Sequence, residues 1–212
     1  MRSLRSWTAS GGMLVLTMLA GCLSFEHGVV DRALPNDVRL VGVWGAGNDP
    51  SIAVIVETGP TTLRIDFFDR RKCVWSPREY IMATRTDIAG QNYLELTLRS
   101  SEEAEKALVG PFMAYRFDDH GRLTFAYPDA DAFRRAVESG ALPGTVEDPK
   151  DAQGHPVFRE HGAEIHVTAS TAQLRAWLAR HPEAMQGNDD RFSRLDAAPA
   201  TLCGWSRPPD QE

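Results

Sequence analysis

The sequence predicts a mainly β, α+β fold: an antiparallel meander, barrel-like or left as a half-open sheet, with two short helices. Three observations predict it. Apolar and polar residues alternate in several runs, turn residues recur between those runs at short spacing, and only two stretches show helical periodicity.

The alternation begins at Val38. Ile52, Val54 and Val56 share one face of a strand, and Leu63, Ile65 and Phe67 alternate with Thr62, Arg64 and Asp66. Gly59-Pro60 separates these two runs. A further strand is expected over residues 80–86. Ile88-Ala89-Gly90-Gln91 divides it from the next, in which Leu94, Leu96 and Leu98 oppose Tyr93, Glu95 and Thr97. Asp118-Asp119-His120-Gly121 joins residues 113–117 to 123–127, since Asp, His and Gly tolerate turn backbone angles. In that hairpin Met113, Tyr115 and Phe117 point one way, as do Leu123, Phe125 and Tyr127.

The first helix is expected over residues 129–139. It opens with acids, which suit the positive end of the helix dipole, and stops at Gly140. The second, 170–180, carries a capping box in Ser170 and Gln173, a buried stripe of Leu174, Trp177 and Leu178, and Pro182 as its stop. Residues 145–162 read as a polar connection, followed by a strand over 164–168.

The N-terminus reads as an address. Arg2 and Arg5 precede the apolar run Met13 to Ala20. That run is far shorter than the roughly 20 residues a membrane-crossing helix needs, as in a secretory signal. Leu19-Ala20-Gly21-Cys22 resembles the lipobox of bacterial lipoproteins. The resemblance implies cleavage before Cys22, a diacylglyceryl thioether on its sulfur and an acyl group on its amine. Two or three chains would hold the protein on a membrane, since each buried methylene contributes about 0.8 kcal/mol. Leu23 stands where lipoproteins retained at the inner membrane often carry aspartate, so the expected address is the outer membrane, facing the periplasm. The domains expected are a signal peptide (1–21), a tether (22–37), a β-rich globular domain (38–204) and a loose tail (205–212).

Processing would remove two of the 23 basic residues and none of the 29 acidic ones, leaving 191 residues with a formal charge of −8. That length can bury a sizeable core, and the acidic balance excludes a nucleic-acid partner. With Cys22 lipidated, Cys73 and Cys203 remain as an even pair in an oxidising compartment, a candidate disulfide. It would close a loop of about 130 residues and stabilise by roughly 4–5 kcal/mol on the chain-entropy account. Separately buried thiols are the alternative.

Catalytic motifs are missing from the pattern. There is no G-x-S-x-G elbow, no H-E-x-x-H, and no C-x-x-C. His155, His161 and His166 are close in sequence but show no convergent ligand spacing, so neither a metal nor a cofactor is expected. An enzyme would require those histidines, or His120 with a carboxylate, to meet in one cleft.

Gly42-x-Trp44 at the start of the meander resembles the opening of lipocalin-like barrels, where the tryptophan plugs one end. Together with Tyr115-Arg116-Phe117, Leu123-Thr124-Phe125 and Ser170-Thr171-Ala172-Gln173-Leu174-Arg175-Ala176-Trp177-Leu178, it also resembles a group of uncharacterised bacterial lipoproteins. Those share a G-x-W opening, a β-rich body and a late T-x-x-L-x-x-F-L helix, with tryptophan here in place of the phenylalanine. The resemblance implies a fold and an address, and carries no active site. The expected role is a non-enzymatic binding or envelope-assembly module, tied to the membrane through Cys22 and to an envelope protein partner. The alternative is a carrier of a small apolar ligand, lined by Trp44, Met113, Tyr115, Phe117, Leu123, Phe125 and Tyr127. The same side chains would equally fill a solid core.

Overall fold

The computed structural model describes residues 23–47, 49, 51–75, 79–100, 108–148 and 163–196. The expected signal peptide, Cys22, Cys203 and the expected tail lie outside the described residues. In chain order the elements are β1 (Leu23–Phe25), β2 (Gly42–Ala46), β3 (Ser51–Gly59), β4 (Thr62–Asp69), β5 (Val74–Trp75), β6 (Glu79–Ile88), β7 (Gln91–Ser100), β8 (Leu108–Phe117) and β9 (Leu123–Pro128). Then follow α1 (Ala130–Glu138), β10 (Gly144–Glu147), β11 (Glu164–Val167), α2 (Thr171–Arg180), a 3₁₀ turn (Pro182–Ala184) and β12 (Met185–Arg194).

Eight strands close into an antiparallel barrel in the order β2-β3-β4-β6-β7-β8-β9-β12, with β12 returning to pair with β2. The half-open alternative does not form. Short turns set the up-and-down path. Between β6 and β7 only Ala89 and Gly90 remain unpaired, with φ of 52° and 85°. Two consecutive positive φ values match the twist of the flanking strands. At the β8–β9 turn Asp118 accepts the backbone N–H groups of His120 and Arg122, each at 2.9 Å, and Gly121 takes a φ of 72°.

A second layer lies on the outside of β6 to β9. It consists of the three-stranded sheet β1-β11-β10, with β1 parallel to β11, and both helices. Ile88, Tyr93, Phe112 and Ala114 face outward into this layer and pack with Phe133, Ile165, Val167, Leu174 and Trp177. Phe25 stacks 4.9 Å from Phe112, and Phe133 lies 4.8 Å from Trp177. The predicted capping box of α2 forms between Ser170 and Gln173, and Asp129 caps α1 by accepting the Asp131 N–H. Arg175 ties the layers together. Its guanidinium donates to Val29 O (2.8 Å), Thr86 Oγ1 (3.0 Å) and Asp87 O (2.7 Å).

The stretch read as a tether is built into this layer. Leu23–Phe25 is a strand, Val29 is fully buried, and the Val30 N–H bonds Glu95 Oε2 at 2.9 Å. Its polar spacing reflects contacts to one side only. The short strands β1, β5 and β10 and the closing strand β12 were not legible as strands. The row Ile52, Val54 and Val56 also points outward. Ala53 and Ile55 are the β3 residues that enter the barrel.

Candidate functional site

The barrel interior combines fully buried and half-buried side chains. Leu40 (0 % exposed), Trp44, Ile55, Leu63, Ala83, Leu94, Tyr115 and Leu123 (0 %) pack at the end where the chain enters β2. Residues 38–40 form a turn across that end, held by the Leu40 N–H on Asp37 O at 2.9 Å. The Trp44 indole N–H donates to Leu40 O at 2.7 Å, so the ring is locked to the turn it supports. Arg194, from the closing strand, donates to Val41 O at 2.8 Å. Gly42 leaves room for it, since a Cβ there would stand 3.0 Å from the Arg194 Nε.

A polar clasp covers the same end. Arg39 binds both carboxylate oxygens of Asp37 (2.9 and 2.7 Å) and lies 4.6 Å over the Phe117 ring. The Tyr115 hydroxyl donates to Asp37 Oδ2 at 3.3 Å. Hydrogen bonding from Arg39 holds the Asp37 carboxyl below its ordinary pKa. Burial pushes the Tyr115 hydroxyl up to about 12.

Other inward-facing side chains are partly accessible. Ala53, Phe67, Phe125, Tyr127 and Phe192 are half-buried around the barrel core, with Phe125 and Phe192 edge to face at 5.5 Å. Ile81 and Met113 lie just inside. A large aromatic lining, partly open, is the surface on which an apolar molecule gains by leaving water.

The seven residues expected to line a ligand therefore divide. Trp44, Met113, Tyr115 and Leu123 are buried. Phe117, Phe125 and Tyr127 are half-buried, and Phe117 meets Trp44 at 5.9 Å and Tyr115 at 6.1 Å. Phe67 and Phe192 join them. Phe67 was visible in the alternation of its strand, whereas Phe192 sits in a polar run that gave no strand signal.

Of the histidines considered for catalysis, the two that are described lie on different elements. His120 lies in the β8–β9 turn, and His166 is exposed on β11, 2.9 Å from Ser24 Oγ. His155 and His161 lie outside the described residues. Among the described residues no group of three His, Cys, Asp or Glu side chains converges on a metal-sized point, and no helix is long and apolar enough to cross a membrane. An open cleft of about 260 Å³ runs between α1 and α2, where His181 stacks on Trp177 and pairs with Glu183 at 3.0 Å. Cys73 is disulfide-bonded.

Comparison with protein-family models, with curated proteins and with solved structures finds no match for this chain. Its functional reading rests on the geometry of the barrel.

Proposed function

We propose that this protein is a non-enzymatic binding module of the cell envelope. It is anchored by lipid on Cys22 and holds a small apolar ligand against the half-buried aromatic side chains of its barrel. One observation carries the ligand reading: beside fully buried residues such as Leu40 and Leu123, the interior-facing Phe67, Phe117, Phe125, Tyr127 and Phe192 are only half-buried. A core serving only stability would bury those rings as completely as it buries Leu123. The buried residues supply rigidity, and the half-buried rings supply contact area with few polar groups, which suits an acyl chain or a small aromatic molecule.

The anchor reading is supported by the resemblance of Leu19-Ala20-Gly21-Cys22 to a lipobox behind a short apolar run. A lipid on Cys22 would hold the second layer against the bilayer surface with no spacer, beside a reservoir of apolar molecules. Titration with the fluorescent probe N-phenyl-1-naphthylamine, followed by displacement with a long-chain fatty acid, tests the ligand half. Saturable binding lost in Phe125→Glu and kept in Arg39→Gln is expected. Absence of saturable binding overturns it. Mass analysis of the N-terminal peptide from membrane fractions tests the anchor, and an intact Met1 on cytosolic protein overturns that half.

A further inference from the structure

The cleft between α1 and α2 is built from small residues around a buried ring. Ala132 and Ala136 stand one turn apart on α1, and with Ala141 and Ala184 they leave space that larger side chains would fill. Trp177 forms the floor. It is 5 % exposed, with Phe133 packed at 4.8 Å and His181 at 5.0 Å. At about 260 Å³ the space admits only a small molecule.

Two donors in this lining are unspent. A tryptophan buried this far normally gives its N–H to an acceptor, as Trp44 does to Leu40 O at 2.7 Å. The Trp177 N–H has no acceptor among the described residues. Its nitrogen is not sealed either, because Asn36 Oδ1 is the one side-chain polar atom among the described residues that is both buried and unpartnered. The N–H therefore opens into the cleft that Trp177 lines. Arg135 is the second donor. Its neighbour Arg134 is held by Glu138 at 2.8 Å and reaches Asp148 at 3.6 Å, whereas Arg135 makes no ion pair or side-chain hydrogen bond among the described residues.

The acids of the lining are already engaged. Asp129 Oδ1 accepts the Asp131 N–H at 2.9 Å at the start of α1, and Glu183 pairs with His181 at 3.0 Å. They leave the two donors to a guest, and they limit its charge. A guanidinium beside an indole N–H attracts an anion, while two carboxylates in the same lining repel a second negative charge. A guest with one negative charge and a compact apolar body satisfies both conditions.

We propose that this cleft binds a small monocarboxylate. Its carboxylate accepts from the Arg135 guanidinium and the Trp177 indole N–H, and its apolar part lies on Ala132, Ala136 and Ala184. The cleft is outside the barrel, so the assignment goes beyond the barrel ligand reading and does not depend on it.

Titration of acetate, benzoate and indole-3-acetate into the isotope-labelled full-length protein tests it. The readout is the Trp177 indole N–H resonance, which Trp177→Phe identifies. A saturable shift with at least one of the three is expected. Arg135 is exposed, so Arg135→Gln leaves the fold intact. It should weaken binding about tenfold, the scale of one charge-assisted hydrogen bond, while Arg134→Gln changes nothing. The neutral amides of the three acids should leave the resonance in place, and inorganic phosphate should shift it far less than the best of the acids. Binding of N-phenyl-1-naphthylamine should be the same in Arg135→Gln and wild type, so the cleft and the barrel fail separately. No saturable shift with any of the three acids overturns the proposal. Equal binding in Arg135→Gln, or an equal response to the amides or to phosphate, overturns it too.

Discussion

The Trp44 indole N–H and the Leu40 carbonyl oxygen meet at 2.7 Å inside the sealed end of the barrel. The pair joins the first barrel strand to the turn that covers it, and both residues are buried. Trp44→Phe keeps most of the apolar volume but leaves Leu40 O without its donor, at a cost of about 1–3 kcal/mol. Trp44→Ala adds a cavity and should cost about 3–5 kcal/mol. Urea unfolding should show both losses as a lower midpoint with an unchanged slope.

Arg175 makes a related prediction for the contact between layers. Its three bonds reach Val29 O, Thr86 Oγ1 and Asp87 O, and Thr86 is itself buried. Arg175→Met strands those acceptors and should cost about 2–3 kcal/mol. Hydrogen exchange should speed at residues 29–30 and at 86–88, the end of β6, before it speeds in the rest of the barrel. Arg175→Lys should recover only part of the loss, because an ammonium on a flexible stem does not span the three sites as a planar fork does.

The parts legible in sequence were those with a local signal. The β8–β9 hairpin announced itself by alternation around Asp118 and Gly121, and α2 by its Ser170–Gln173 box. The run Phe112-Met113-Ala114-Tyr115 is continuously apolar because β8 is buried on both faces, by the barrel on one and the second layer on the other. β12 was hidden for the opposite reason. Its sequence, Met185-Gln186-Gly187-Asn188-Asp189-Asp190-Arg191-Phe192-Ser193-Arg194, has apolar residues only near its ends, and a register shift between Gly187 and Arg191 breaks the period. With β12 invisible, closure of the barrel stayed open, and so did the place of Phe192. Residues 23–37 gave no period because their order comes from distant partners such as Glu95, Arg85 and Arg175, none of which the local pattern encodes.

Ionisation at the sealed end sets a pH window. Asp37 has a lowered folded pKa through Arg39, so its contribution is present above the unfolded carboxyl value, about 3.9. It is lost as pH falls through the folded value. Tyr115 and Tyr93 are both pushed up to about 12, chiefly by burial. Their contribution is complete below the unfolded value, about 10, and is lost as pH rises through the folded value. Stability should therefore fall on both sides, with the alkaline limb between those two values. Tyrosinate absorbance should show two of the four tyrosines ionising only near 12 or with unfolding. Tyr115→Phe should remove one of these, and Asp37→Asn should flatten the acid limb. Ionisation of all four near 10 would contradict the buried clasp.

Stability and ligand binding should separate between the fully buried and the half-buried side chains of the barrel interior. Leu123 is fully buried at the sealed end, so Leu123→Ala should cost about 3 kcal/mol by cavity formation while leaving probe affinity within about twofold. Phe125 is half-buried against Phe192. Phe125→Ala gives up less buried area and should cost about 2 kcal/mol, because part of that ring is already in water. It also removes a ligand contact, so affinity for N-phenyl-1-naphthylamine should drop about tenfold, equivalent to about 1.4 kcal/mol. Fluorescence titration of the two variants beside their urea midpoints checks the pair. Affinity lost in Leu123→Ala and kept in Phe125→Ala would place the ligand away from the half-buried rings to which its binding was assigned.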